Sequence, residues 1–375
     1  MRRCTHLPFP CKQHGAALLL FVIALVMAAS YALLKKVNQA PDASARERHT
    51  MMQLNQARAA LLGYALNGLD PVSATIQPGR MPCPDYDLDG ASDNCNIVSG
   101  RVQPGRLPWL TLGLSELRDA ANEPLWYVPA IEFTGVQPIN SNTDTTALRI
   151  DGGAEALVAI VLAPGAVLGS QSRPSGNPLA QLDPARYLED INALAGTNYV
   201  SAPSSSATDF NDRLLAIRLD RFMSQLEARV LRKISALLGP GPYPNPAAVG
   251  STACDNTLVE GLLPLTTDPL LTCDAALPVF PNWFASDWQK LVWYVMDPSS
   301  SLTVQLADGG LLPGQQTLLF SAGVPLTAIG QPSPRSASPD VLQLLDDSDN
   351  TDGVPTYREP VPSLTDNDQL MIVSP

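Results

Sequence analysis

Apolar and polar positions divide the chain into a long helical opening and a strand-rich remainder. From Ala16 to Leu34 nineteen residues carry no charge, and Lys35 and Lys36 close the run. At 1.5 Å rise per residue they reach roughly 28 Å, about one hydrocarbon core, so the pattern predicts a transmembrane helix. Helical spacing continues beyond it, with Met52, Ala59, Leu62 and Leu66 forming an apolar face for a sheet. The first helix is expected to run from Ala16 to about Leu66. Pro41 should kink or interrupt it, because its ring removes a backbone donor and crowds the previous turn. Asp42 or Ser44 suits a cap for the renewed segment, and Gly68 follows its end.

After this helix one series of features occurs twice. The amphipathic stretch QARAALLGYAL at 56–66 is echoed by EARVLRKISALL at 227–238, and a Pro/Gly-rich loop with a cysteine pair follows each. Next come LWYV (125–128) and VWYV (292–295), then LAPGAVLGSQSRP (162–174) and FSAGVPLTAIGQP (320–332). YLEDIN (187–192) matches LLDDSDN (344–350), and DFNDRLLAI (209–217) matches TDNDQLMIV (365–373). The offsets drift as loop insertions would make them. Matches in a single order imply a tandem duplication, with the second copy beginning near Asp220. Asn211-Asp212 and Asn367-Asp368 each precede an apolar stretch, which reads as a turn into a strand.

The amino end carries a more specific signal. Lys12-Gln13-His14-Gly15-Ala16-Ala17 is a short basic leader ending in Gly, placed before the apolar run and not after it. An ordinary secretory signal is cut behind its apolar core. This arrangement resembles the leader of type IV prepilins and of the pseudopilins of type II secretion. The resemblance implies cleavage after Gly15 by a prepilin peptidase and methylation of Ala16 as the new terminus. It also implies a retained helix that anchors the subunit in the inner membrane and later packs against other subunits. Most pilins have Glu at the fifth mature position, whereas this chain has Leu20. Its absence argues for a minor subunit, because a carboxylate in lipid needs a partner there. A plain uncleaved anchor is the alternative.

Charge and cysteines narrow the setting. The 375-residue chain has 36 acidic and 24 basic residues, a formal net charge of −12. That balance is a poor match for nucleic acid or anionic lipid. Its 35 Pro and 25 Gly point to a loop-rich exterior. Cys4 and Cys11 fall in the leader, and the other four form local pairs, Cys83/Cys95 and Cys254/Cys273. Disulfides in the periplasm or beyond fit them. A Cys₄ zinc site is the rival reading, but neither pair has the close spacing zinc usually takes.

Candidate chemistry is sparse. His49 is the one histidine after the leader, which argues against a His-based triad or a multi-His zinc centre, so no enzyme activity is expected. Asp85, Asp87 and Asp89 alternate before Gly90, and Asp93 and Asn94 follow. This matches the first half of an EF-hand-type calcium loop, although Asn96 stands where that pattern needs a bidentate Glu. Ca²⁺ on Asp85, Asp87, Asp89 and Asp93 is therefore the expected metal site, against a solvated acidic turn braced by Cys83–Cys95. Asp346, Asp347, Asp349 and Asp352 form a second acidic cluster, and Asp119 is a weaker candidate ligand. Arg80 and Arg106, each in a Gly-Arg-apolar-Pro motif, suggest salt bridges to the acidic loop. Trp283 and Trp288 are the aromatic residues expected at the surface, where rings could stack on sugars.

Together these readings give an α+β fold: a long N-terminal transmembrane helix followed by two tandem pilin-like heads with antiparallel sheets. The expected organisation is a leader at 1–15, the helix at 16–67, a first head at 68–219 and a second at 220–375. The expected function is a minor pilin-like or pseudopilin-like component of a type IV filament or type II secretion-like system, placed at the tip or in initiation. Its partners would be other pilin subunits, the prepilin peptidase and the inner membrane. The alternative is a membrane-tethered periplasmic binding or adhesion protein outside any filament.

Overall fold

The computed structural model describes residues 14–67, 77–135, 137–144, 148–169, 171–174, 176–201, 210–267, 273, 275–353 and 355–373, without the side chains of 14–18, 32–42 and 190. The chain divides into two units, one through Met52 and one from Gln53 onward. The described part of the first is helix α1 (His14–Asn67), which continues into the second. The leader residues before His14 lie outside the described residues. Gly15 and Ala16 are helical, with their side chains outside the described set.

Two expectations about this helix are corrected. Among the described residues no helix is long and apolar enough to cross a membrane, so the transmembrane anchor over Ala16–Leu34 and the single-pass inner-membrane location are not supported. The apolar side chains described there run from Leu19 to Tyr31, all exposed. Secondly, Pro41 does not end the helix, and no new start is needed at Asp42 or Ser44.

In the second unit α1 buries Leu54, Ala57, Leu61 and Ala65, spaced as one helical face. The expected face is rotated: Met52 is 57% exposed and Ala59 is exposed, while Leu66 is buried. Both sets satisfy helical spacing, and small alanines let the backbone approach closely on the face that is used.

The hairpin β1 (Ile97–Val98) and β2 (Arg101–Val102) closes the acidic loop region. The first four-stranded sheet then joins β3 (Gly105–Arg106), β4 (Trp126–Pro129), β6 (Leu157–Ala163) and β8 (Arg213–Arg218) in that spatial order, all antiparallel. Strand β5 (Arg149–Ile150) pairs in parallel with β7 (Asn198–Tyr199), and a short helix α2 (Pro178–Gln181) lies between β6 and β7 in the chain. Every residue of β6, LVAIVLA, is buried. A continuous apolar run is what a central strand covered on both faces requires.

Helix α3 (Leu219–Leu238) follows without a linker. Its sequence is rich in Leu, Met, Ala, Arg and Glu, and it ends at Gly239, whose φ of 64° closes the last turn with an N–H bond to Ser235. Phe222, Leu226, Val230 and Ile234 are among its buried residues, and it touches strands of both sheets. The edge-to-face pair of Phe222 with Phe133, centroids 5.5 Å apart, ties it to the chain segment before β5.

The second sheet has the same plan. Its strands β9 (Glu260–Leu262), β10 (Val292–Met296), β13 (Thr317–Ser321) and β15 (Gln369–Ile372) are again adjacent in chain order and antiparallel. Beside it, β11 (Leu302–Gln305) pairs with β12 (Leu311–Gln315) and, in parallel, with β14 (Thr356–Arg358), while helix α4 is Val341–Leu344. Registers coincide residue by residue. Trp126 faces Leu162, which faces Leu214; Trp293 faces Phe320, which faces Leu370. Gly105 lies opposite Tyr127 as Gly261 does opposite Tyr294. Both disulfides are formed, Cys83–Cys95 with Cα atoms 5.0 Å apart and Cys254–Cys273 with 5.8 Å.

Candidate functional site

The acidic loop is built around Asp85, which is 1% exposed. Its Oδ1 accepts from the amides of Asp87 (3.0 Å) and Leu88 (2.7 Å), and its Oδ2 from that of Gly90 (2.8 Å). Asp87 and Asp89 each accept from the amide two residues on, giving successive Asx turns. Burial pushes the Asp85 carboxyl above its usual range, while the three amide bonds oppose that shift. Gly90 is required here: its φ is 82°, and a Cβ would lie 2.4 Å from the Trp109 ring.

Asp85, Asp87 and Asp89 bring one carboxylate oxygen each within 4.8 Å of the others, so this cluster could hold a metal ion. Asp93 is not part of it; its Oδ2 accepts from the Tyr86 amide instead. A second cluster of this kind combines Asp346 with Asp366 and Asp368, not with the expected Asp347, Asp349 and Asp352. Asp119 is committed elsewhere, accepting from the amides of Ala121, Glu123 and Gly165.

Two other expectations are corrected. Among the described residues neither Arg80 nor Arg106 forms a salt bridge to the aspartates: Arg106 pairs with Asp85 through backbone bonds alone, while the Arg80 side chain donates to the Thr134 carbonyl and that of Arg106 to the carbonyls of Pro124 and Gln181. Trp283 is 9% exposed and Trp288 is fully buried, so they serve the core and not a sugar-stacking surface.

A carboxyl pair with one fully buried member, which the sequence pattern did not single out, recurs beside each sheet. The Glu189 amide donates to Asp212 Oδ2, and Glu189 Oε2 accepts from the amides of Asn211 and Asp212. At the corresponding place the Asp346 amide donates to Asp368 Oδ2, and Asp346 Oδ2 accepts from the Asn367 amide. Asn211 and Asn367 reach across to the carbonyls of Ala166 and Val324. Each crowds a glycine, Gly165 at φ 64° and Gly323 at φ 58°, where a Cβ would strike the Asn side chain. An arginine completes each turn: Arg173 donates to the Gly165 carbonyl and Arg335 to that of Gly323.

Burial, reinforced by the neighbouring Glu189 carboxyl, pushes Asp212 up to about 8. Asp368 is likewise raised, by burial first and Asp346 second. Among the described residues Oδ1 of both aspartates is buried without a partner, as suits a carboxyl that holds a proton. The signals in the sequence were the paired YLED/LLDD and Asn-Asp echoes, which mark the same turn twice. Another buried acid, Glu227 on α3, accepts from Ser141 Oγ at 2.9 Å and is raised to about 8 by burial.

No protein-family model matches the chain, and no curated protein or solved structure matches it either.

Proposed function

We propose that this chain is a minor, pilin-like structural subunit of a type IV filament or a type II secretion-like assembly, placed at the tip or in initiation. The observation that carries this reading is the order of elements: a 54-residue helix comes first and antiparallel sheets follow. Over Leu19–Tyr31 that helix exposes Leu, Phe, Val, Ile and Met side chains. Apolar surface of that extent favours burial, and helices of neighbouring subunits offer a matching surface. The leader motif ending at Gly15 and the Leu20 in place of Glu support a prepilin-type, non-major subunit. The polar networks hold turns and need no substrate. A photo-crosslinking residue at Leu25 should capture a second pilin-like chain in cells that assemble the filament. A crosslink-free result, with the protein present and folded, would defeat the reading.

Within this reading the Asp85–Asp89 loop takes Ca²⁺, a hard cation matched to carboxylate and carbonyl oxygen. Asp87→Asn should remove the rise in Tm that millimolar Ca²⁺ produces in the native protein. An unchanged rise would place the ion elsewhere, and no rise in the native protein would remove it altogether.

A further inference from the structure

A cavity of about 460 Å³ lies beside the first sheet, with walls that include Leu107, Trp109 and Leu125. Three arginines line it. Arg118 pairs with Glu116, and Arg173 with Glu123 at 3.2 Å, all four in the same wall. Arg106 differs, since it is 5% exposed and has no carboxylate partner among the described residues. Its guanidinium lies over both the Trp126 and Tyr187 rings, 4.1 and 4.2 Å from their centroids, which are themselves 5.5 Å apart. One bond each to the carbonyls of Pro124 (3.2 Å) and Gln181 (2.8 Å) uses two of its five N–H donors, and among the described residues Nε is buried with no partner.

The second sheet serves as an internal control. Unpartnered atoms that recur at corresponding positions, such as Oδ1 of Asp212 and Asp368 or Nε1 of Trp126 and Trp293, belong to the shared plan of the fold. Arg106 does not recur. Opposite Trp293 the corresponding residue is Leu262, and the place of Tyr187 is taken by Leu344. Leu262, Trp293 and Leu344 form part of one apolar cluster. The fold therefore fills this position with hydrocarbon where nothing else is asked of it. The nearby carboxylates Glu123 and Glu116 stabilise its charge only through space, being paired with Arg173 and Arg118, and a buried cation with no directly bonded counter-charge is unfavourable. Burial lowers the Arg106 pKa to about 10, which leaves it cationic at neutral pH.

We propose that this cavity binds a carboxylate-bearing ligand, its carboxylate on the open N–H groups of Arg106 and its apolar body against Leu107, Trp109 and Leu125. The planar guanidinium matches a carboxylate in a forked pair. Asp85, Glu116 and Glu123 also line the cavity and disfavour a dianion such as phosphate, so a monoanion fits better. The volume lies within the range of small-ligand sites. A free organic acid and the C-terminal carboxylate of a peptide share this chemistry.

The test uses the purified full chain, read by calorimetry and tryptophan fluorescence at pH 7. The probes are benzoate, N-acetyl-leucyl-leucine, the amide of that dipeptide, and inorganic phosphate. One of the two free carboxylates should bind saturably at one per chain, and the amide and phosphate about tenfold or more weakly, as loss of a charge-assisted bond implies. Tighter benzoate identifies a free acid, and a tighter dipeptide identifies a chain terminus. Arg106→Leu, which installs the residue used in the second sheet, should lose about tenfold or more in affinity, while Arg218→Gln on the surface binds as the native protein does. Should Arg106→Leu fail to fold, Arg106→Lys keeps the charge without the fork and should weaken binding. No saturable binding of either carboxylate up to about 10 mM, equal binding of the amide, or native affinity in a folded Arg106 variant would overturn the proposal.

Discussion

Replacing Asp212 by Asn should stabilise the protein at high pH, which is unusual for removal of a buried acid. Asp212 is fully buried, its Oδ2 accepts from the Glu189 amide and from Asn192 Nδ2, and its Oδ1 has no partner. In the folded protein its pKa is raised to about 8, first by burial and then by Glu189, against about 3.9 unfolded. The folded state therefore binds the proton more tightly, and stability must fall as pH rises between the two values. The contribution is fully present below about pH 4 and lost once pH passes about 8. A shift of roughly four units at 1.36 kcal/mol each sets a ceiling of about 5 kcal/mol. Because the site can relax on ionisation, about 2 kcal/mol is the working figure. Asparagine mimics the protonated acid, with an oxygen for the two donors and an amide where Oδ1 stood. Urea unfolding followed by tryptophan fluorescence at pH 5, 6.5 and 8 measures the effect. Native stability should decline across the series, and Asp212→Asn should flatten that decline and exceed the native protein at pH 8. If native stability rises from pH 5 to 8, or the variant tracks it in parallel, the assignment of a buried proton to Asp212 is wrong.

Glu227→Gln should act in the same direction, since burial raises that acid to about 8 as well; unfolding midpoints at pH 6 and 8 check it. Gly90→Ala combines a left-handed φ with a clash on Trp109 and should cost about 2–4 kcal/mol, read as a lower Tm. Replacing Cys83 and Cys95 together by Ser opens a loop of sequence separation 12 and should cost about 3 kcal/mol in urea unfolding. Trp288→Ala empties a fully buried site and should cost about 3–5 kcal/mol, whereas a surface role would leave stability nearly unchanged.

Much of the strand plan was legible because its signals are local. The Trp-Tyr-Val runs became β4 and β10, and both Asn-Asp pairs lead directly into edge strands at Arg213 and Gln369. Cysteine pairing was legible for the same reason, as each partner lies a short loop away. The helix face was not, because α1 offers two apolar stripes of equal period, and tertiary packing chose Leu54, Ala57, Leu61 and Ala65. Trp283 and Trp288 looked exposed beside Pro281 and Asn282, yet they lie in a short helical segment folded into the core. Asp212 and Glu189 are 23 residues apart and meet only through the turn that both copies share. Arg106 belongs to a motif shared with Arg80, but the pair of rings it lies over needs Trp126 and Tyr187 from other parts of the chain.

The proposal that this chain is a prepilin-type subunit stands or falls at its amino terminus. Intact mass and N-terminal sequence of the protein, purified from cells with and without prepilin peptidase, decide it. The account predicts a chain beginning at methylated Ala16 when the peptidase is present and an uncleaved leader when it is absent. A chain beginning at Met1 in both would contradict it.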